Sequence, residues 1–123
     1  MRIGLIGKKL GMSRIFNENG DVIPVTIIEV KDNYVIGIKK EIEKDNYSAI
    51  QIGCQEVEDK KLRKSELGML KKNNLPSLKV IKELRMKNDD EVNDFKIGQK
   101  LNVEIFKKGD LVDITGKTIG KGF

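Results

Sequence analysis

Apolar and polar residues alternate with a period of two along much of this chain, and that period predicts strands. A basic, glycine-spaced opening stretch runs from Met1 to Phe16. Asn17-Glu18-Asn19-Gly20-Asp21 follows, and Asn-Gly before an apolar run signals a hairpin. Val22 to Val30 is apolar on both faces (Ile23, Val25, Ile27 against Ile28, Val30), so it is expected to lie deep. Pro24 restricts it locally to an edge, a bulge or a strand start. Tyr34 to Lys40 alternates with Tyr34, Ile36 and Ile38 inward. A charged connection, Glu41 to Asn46, leads to Tyr47–Gly53, with Ser48, Ile50 and Ile52 on one face and Tyr47, Ala49 and Gln51 on the other. Leu78 to Met86 fits a strand or a helix and is read as a strand because Val80, Leu84 and Met86 suit alternation; with Leu101 to Phe106 and Leu111 to Thr115 it completes seven short strands.

The period changes between Asp59 and Lys72. Leu62, Leu67 and Leu70 fall near helical spacing, which predicts a short helix over Lys60–Leu67 ended or bent by Gly68. Strands with one short helix define a mainly β protein, a partial or complete small β-barrel. At 123 residues it fits one domain, residues 1–123, with a Gly/Lys-rich tail from about 114.

Charge sharpens this picture because it is segregated. The net charge is only +5, yet residues 1–16 carry +4 and 60–87 carry +8 (ten cations, two acids). Residues 17–59 carry −6, 88–113 carry −3, and 114–123 carry +2. Such blocks make one surface strongly basic on a moderately charged molecule. In the opening stretch Arg2, Lys8, Lys9 and Arg14 stand without an acid, while Ile3, Leu5, Ile6 and Leu10 can bury one part. Gly4, Gly7 and Gly11 permit bends there.

Catalytic chemistry finds little support. The chain has no histidine, the commonest general base near neutral pH, and no visible nucleophile–base pair. Gly116-Lys117-Thr118 resembles the end of a phosphate-binding loop, but Leu111 stands where that motif needs glycine. Asp89, Asp90, Glu91 and Asp94 lack the calcium-loop pattern and read as a solvated loop, so no metal or cofactor is expected. The single cysteine, Cys54, excludes an internal disulfide and reads as a small buried side chain. No apolar run approaches the roughly 20 residues that span a bilayer, and the basic start has no continuous apolar region, so neither membrane nor secretion is expected. The expected compartment is the reducing cytosol. The tail Thr115 to Phe123 alternates glycine and lysine, which suits close approach to a phosphate backbone.

The two ends also carry a resemblance. Gly4, Gly7, Lys9, Gly11, Met12 and Phe16, with Ser13 in place of a usual Thr, resemble the opening of the universal large-subunit ribosomal protein L-three family. Phe106, Gly109, Asp110, Val112, Asp113, Thr115, Gly116, Gly120, Lys121, Gly122 and Phe123 resemble, in register, a second family pattern. Ile119 replaces a lysine there. Tyr47-x-Ala49-x-Gln51-x-Gly53, Glu83-Leu84-Arg85 and Ile97-Gly98-Gln99 resemble segments between, whereas Gly68-Met69-Leu70 lacks the family's His and Phe. Family members continue past this point with a long basic loop and further strands, so the resemblance covers the family's N-terminal portion.

The resemblance implies a bacterial-type, translation-protein-like barrel that binds large-subunit ribosomal RNA, in its 3′ part, early in subunit assembly. Neighbouring large-subunit proteins are the other implied partners, with no small-molecule substrate, in the cytoplasm. The residues expected to meet RNA are Arg2, Lys8, Lys9, Ser13 and Arg14 at the start, Lys117, Thr118 and Lys121 at the end, and Arg63 and Lys64 from the +8 block. Two other classes remain open: a stand-alone or cofactor-binding β-barrel enzyme domain, and a protein-interaction module whose acidic 17–59 block meets a basic partner.

Overall fold

The computed structural model describes residues 4–40, 47–87 and 92–123. The Glu41–Asn46 connection, Arg2, Ile3, and Asp89, Asp90 and Glu91 of the acidic cluster lie outside the described residues. Among the described residues the architecture is mainly β, with two sheets and one α-helix of more than a turn. Strands β1 (Lys8–Phe16) and β2 (Val22–Glu29) form a two-stranded antiparallel sheet. Strands β3 (Asn33–Lys39), β4 (Ala49–Glu56), β5 (Leu78–Arg85) and β6 (Lys100–Leu101) form a second, antiparallel, in the order β5-β4-β3-β6. Among the described residues the strands do not close into a barrel.

The four-stranded sheet is buried on both faces. On one face Val35, Ile50, Ile52, Met86, Val92, Phe95 and Leu101 cluster, with Leu5, Ile6, Ile38 and Leu84 packed against them. On the other, Tyr34, Ile36, Leu70, Leu75 and Leu78 form a second cluster, with Leu62 and Ile81 at its border. Strict alternation expects Tyr34, Ile36 and Ile38 to point the same way. A bulge between Val35 and Gly37 shifts the register, so Ile38 joins Val35 instead. Gly53 is needed where the second cluster crosses β4: a Cβ built there would lie 2.5 Å from Ile36 Cδ1 and 2.9 Å from Leu78 Cδ1.

The helix differs from the expected Lys60–Leu67. Asp59–Lys61 form a 3-10 turn, and α1 runs Lys64–Lys72, straight through Gly68. Its true stop is Asn73-Asn74. Asn74 takes the left-handed conformation at φ 56°, Asn74 N–H donates to the Lys71 carbonyl, and Leu75 N–H donates to the Leu70 carbonyl. These two bonds, with Leu70 and Leu75 sharing one apolar cluster, form the Schellman termination of a helix, here with Asn in glycine's usual place. At the start, the Glu66 carboxylate accepts from Arg63 N–H at 3.4 Å.

Two expected C-terminal strands are not formed as read. Leu101–Phe106 contributes only the two residues of β6; Asn102 then accepts from Glu104 N–H at 3.1 Å and turns the backbone into a 3-10 turn over Val103–Ile105. Leu111–Thr115 has no strand partner among the described residues, and Leu111 is fully exposed. The expectation that Val22–Val30 lies deep also fails. β2 pairs only with β1, so neither apolar face is covered by a second layer, and Val22, Ile23, Ile27 and Ile28 are exposed. Pro24 sits in this edge-type strand opposite Arg14, where its missing donor disturbs no further ladder. The hairpin turn matches its reading: Asn17 Oδ1 accepts from Asp21 N–H at 2.8 Å, and Gly20 takes φ 82°.

One polar cluster pins the outer surface of β3, β4 and β5. Lys39 Nζ lies 2.8 Å from Glu83 Oε1, Tyr47 OH donates to Glu83 Oε2 at 2.7 Å, and Gln51 Nε2 donates to Glu83 Oε1 at 3.1 Å. Arg85 stacks over the Tyr47 ring, 4.7 Å from its centroid. The bond from Lys39, then those from Tyr47 and Gln51, pull the Glu83 carboxyl from its ordinary 4.5 to about 2. The same pair raises Lys39 above the usual lysine range. A depressed folded-state carboxylate stabilises the fold above its unfolded value and loses that contribution as pH falls towards its folded value. Between pH 4.5 and about 2, stability is therefore expected to fall more steeply in the wild type than in Glu83→Gln. Urea midpoints at several pH values check this; parallel profiles would remove Glu83 as a source of acid sensitivity.

Candidate functional site

The β1–β2 ribbon carries the first group of cations, and a bulge sorts them. Lys9 lies opposite Ile28 and Gly11 opposite Ile27, so Leu10 is the extra residue. Residues directly opposite in an antiparallel pair share a face. Lys9, Met12, Arg14 and Phe16 therefore share one face with Val22, Pro24, Thr26 and Ile28. Lys8, Gly11, Ser13 and Ile15 share the other with Ile23, Val25, Ile27 and Glu29. Unbroken alternation would pair Lys8 with Arg14 and Lys9 with Ser13. The bulge instead places Lys9 and Arg14 on one face and Ser13 on the other.

The Lys9–Arg14 face is open. Met12 is 70% and Phe16 68% exposed beside these cations. The opposite face is largely aliphatic. Leu10, expected to help bury this stretch, is exposed, whereas Leu5 and Ile6 do pack on the core. The junction between ribbon and core is made by Asn33, a fully buried amide. Its Oδ1 accepts from Ile6 N–H at 3.0 Å, and its Nδ2 donates to the Ile6 carbonyl at 3.3 Å and the Lys31 carbonyl at 2.8 Å. One side chain thus replaces the ladder bonds that the opening segment lacks at this point and fixes where β1 begins.

Arg63 and Lys64 stand together at the start of α1, both exposed. Lys117, Thr118 and Lys121 lie in an exposed tail without regular structure, where Ile119 and Phe123 are also fully exposed. Among the described residues no hydrogen bond or ion pair joins that tail to the ribbon. Nor do the side chains of Lys8, Lys9, Arg14, Lys64, Lys117 or Lys121 form an ion pair within the described chain. No described acid neutralises their charges.

The sequence reading missed the rest of α1. At about 100° per residue, Lys64, Ser65, Lys71 and Lys72 all lie within about 60° of Gly68 around the axis. All five are exposed, while Leu70 faces the core. The signal was present as the i, i+4, i+8 series Lys64, Gly68, Lys72, and was hidden by reading Gly68 as the helix end. Lys71 also lies 3.5 Å from Asp59, whose carboxyl is held below the usual carboxylate range first by the Ser77 hydroxyl and then by Lys71.

No family model matches the chain. Individual proteins do. The chain is 52% identical over all 123 residues to the large ribosomal subunit protein uL3c of Guillardia theta, covering 58% of that protein. It is 46% identical over 123 residues to uL3 of Geobacillus sp. (strain WCH70), covering 56% of it. It is 50% identical over 121 residues to uL3 of Hydrogenobaculum sp. (strain Y04AAS1), covering 50% of it. The chain thus spans little more than half the length of the curated relatives it matches. These relatives, matched along all or nearly all of this chain, are large ribosomal subunit proteins. Within that class the chain belongs to the uL3 family and corresponds to an N-terminal portion of it.

Proposed function

We propose that the chain is a structural component of the large ribosomal subunit that binds large-subunit ribosomal RNA. The observation that carries this reading is the Lys9–Arg14 face: two cations placed on one face by a bulge, without an ion pair among the described residues, beside an exposed aromatic ring, in a chain whose relatives are large ribosomal subunit proteins. Cations displace condensed counterions from phosphates, and exposed aromatic rings stack on unpaired bases. Lys8, Arg63, Lys64, Lys117 and Lys121 add phosphate contacts, Ser13 and Thr118 add hydroxyl donors, and Arg2 extends the same stretch. The RNA is the 3′ part of the large ribosomal RNA, and the contact forms early in assembly. The protein has a scaffolding role and is not an enzyme, and it works in the cytoplasm. The aliphatic face of the ribbon, with Ile15, Ile23 and Ile27 exposed, suits neighbouring protein rather than phosphate.

Competition binding tests this reading. The full 123-residue chain is expected to retain labelled large-subunit ribosomal RNA against an excess of small-subunit ribosomal RNA at equal salt. Equal displacement by both RNAs would contradict a specific large-subunit role.

A further inference from the structure

A glycine in the middle of an exposed helix costs about 1 kcal/mol relative to alanine. Gly68 occupies such a position in α1, and among the described residues no atom outside its own helix backbone and chain neighbours lies within 4 Å of the Cβ an alanine would carry. Packing inside the chain therefore does not require glycine here. Around this gap stand Lys64, Lys71 and Lys72, with the Ser65 hydroxyl, all exposed. At the helical rise of about 1.5 Å per residue, Lys64 and Lys71 are about 10 Å apart along the axis, with Gly68 between them. The one acid of the helix, Glu66, is half-buried and turned towards Arg63 N–H. The Lys71–Asp59 pair is exposed on both sides, and such pairs exchange readily for a new partner.

We propose that the outer face of α1 is a docking surface for an RNA phosphate backbone, with Gly68 at the point of closest approach and Lys64, Lys71 and Lys72 neutralising phosphates around it. The proposal rests on the reading of the chain as an RNA-binding ribosomal protein and extends the contact expected at Arg63 and Lys64 along the whole helix, to Gly68, Lys71 and Lys72. Charge complementarity selects the occupant: three cations and a hydroxyl surround a bare stretch of backbone, and a phosphodiester strand is the anionic polymer this reading supplies. The absence of a side chain at the centre lets the strand settle against the helix while lysines reach it from the surrounding positions.

Gly68→Ala separates this role from a structural one, because the two move in opposite directions. The variant is expected to melt higher by several degrees, roughly 3–6 °C for a domain of this size. Its affinity for Geobacillus large-subunit ribosomal RNA is expected to fall about five- to tenfold, as for one lost charge-assisted contact. Lys64→Gln and Lys72→Gln are each expected to reduce the slope of log affinity against log salt by about 0.7–0.9. A higher melting temperature with unchanged affinity in Gly68→Ala would overturn the proposal. So would unchanged salt slopes in the lysine variants, even if Gly68→Ala misfolded. If the wild type binds and ribbon variants weaken it while all three helix variants do not, the helix surface alone fails. If the wild type does not bind this RNA at all, both readings fall.

Discussion

Asn33→Leu is expected to lower the free energy of unfolding by about 3 kcal/mol or more, because it leaves buried backbone groups unpaired. The substitution is close in shape, so packing alone would change little. The Asn33 amide makes three bonds to main-chain groups of Ile6 and Lys31 in a wholly buried position. Each orphaned group costs about 1–3 kcal/mol, and leucine answers none of them. The loss extends further, since Ile6 and Leu5 lie against the Val35–Ile50–Ile52 cluster and are held there by this clamp. Urea unfolding gives the magnitude, and amide exchange at Ile6 gives the place. A loss under about 1 kcal/mol, with the Ile6 amide still protected, would mean that Asn33 does not anchor the opening segment.

The Asn33 clamp also marks where sequence reasoning stops. Asn33 closes the polar run Lys31-Asp32-Asn33, and nothing local in it distinguishes a buried amide from a solvated one. Elements whose signals are local were legible: the Asn17–Asp21 turn, the pairing strands around Ile36, Ile50 and Leu84, and the exact start of β5 at Leu78. Elements decided by what lies beyond them were not. Val22–Glu29 has the composition of a core strand, but depth depends on layers outside the ribbon. Leu101–Phe106 alternates well, yet the Asn102 side chain competes for the backbone and ends the strand after two residues. The site shows the same division. Basic residues were visible by type, whereas their grouping came from one bulge at Leu10 and from a helix that continues past Gly68.

The Lys9→Gln/Arg14→Gln double variant is expected to weaken binding to large-subunit ribosomal RNA about a hundredfold near 0.1 M salt, as two charge-assisted phosphate contacts are lost together. Its salt slope should drop by about 1.4–1.8. Lys8→Gln alone, on the opposite face of the ribbon, should cost about tenfold or less. Fold should be untouched, because none of these side chains is buried or ion-paired within the described chain. Filter binding of the purified variants over a salt series measures both quantities. If Lys8→Gln proved as damaging as the double variant, the grouping of cations by the bulge would not be what RNA reads.

The most direct test is the salt dependence of the wild-type chain itself. Cations on the ribbon, on α1 and in the tail should together engage at least four phosphates of large-subunit ribosomal RNA. Log affinity should then fall against log salt with a slope of about −3 or steeper. A slope near zero, at any affinity, would contradict the account, because no cationic surface would be meeting phosphate.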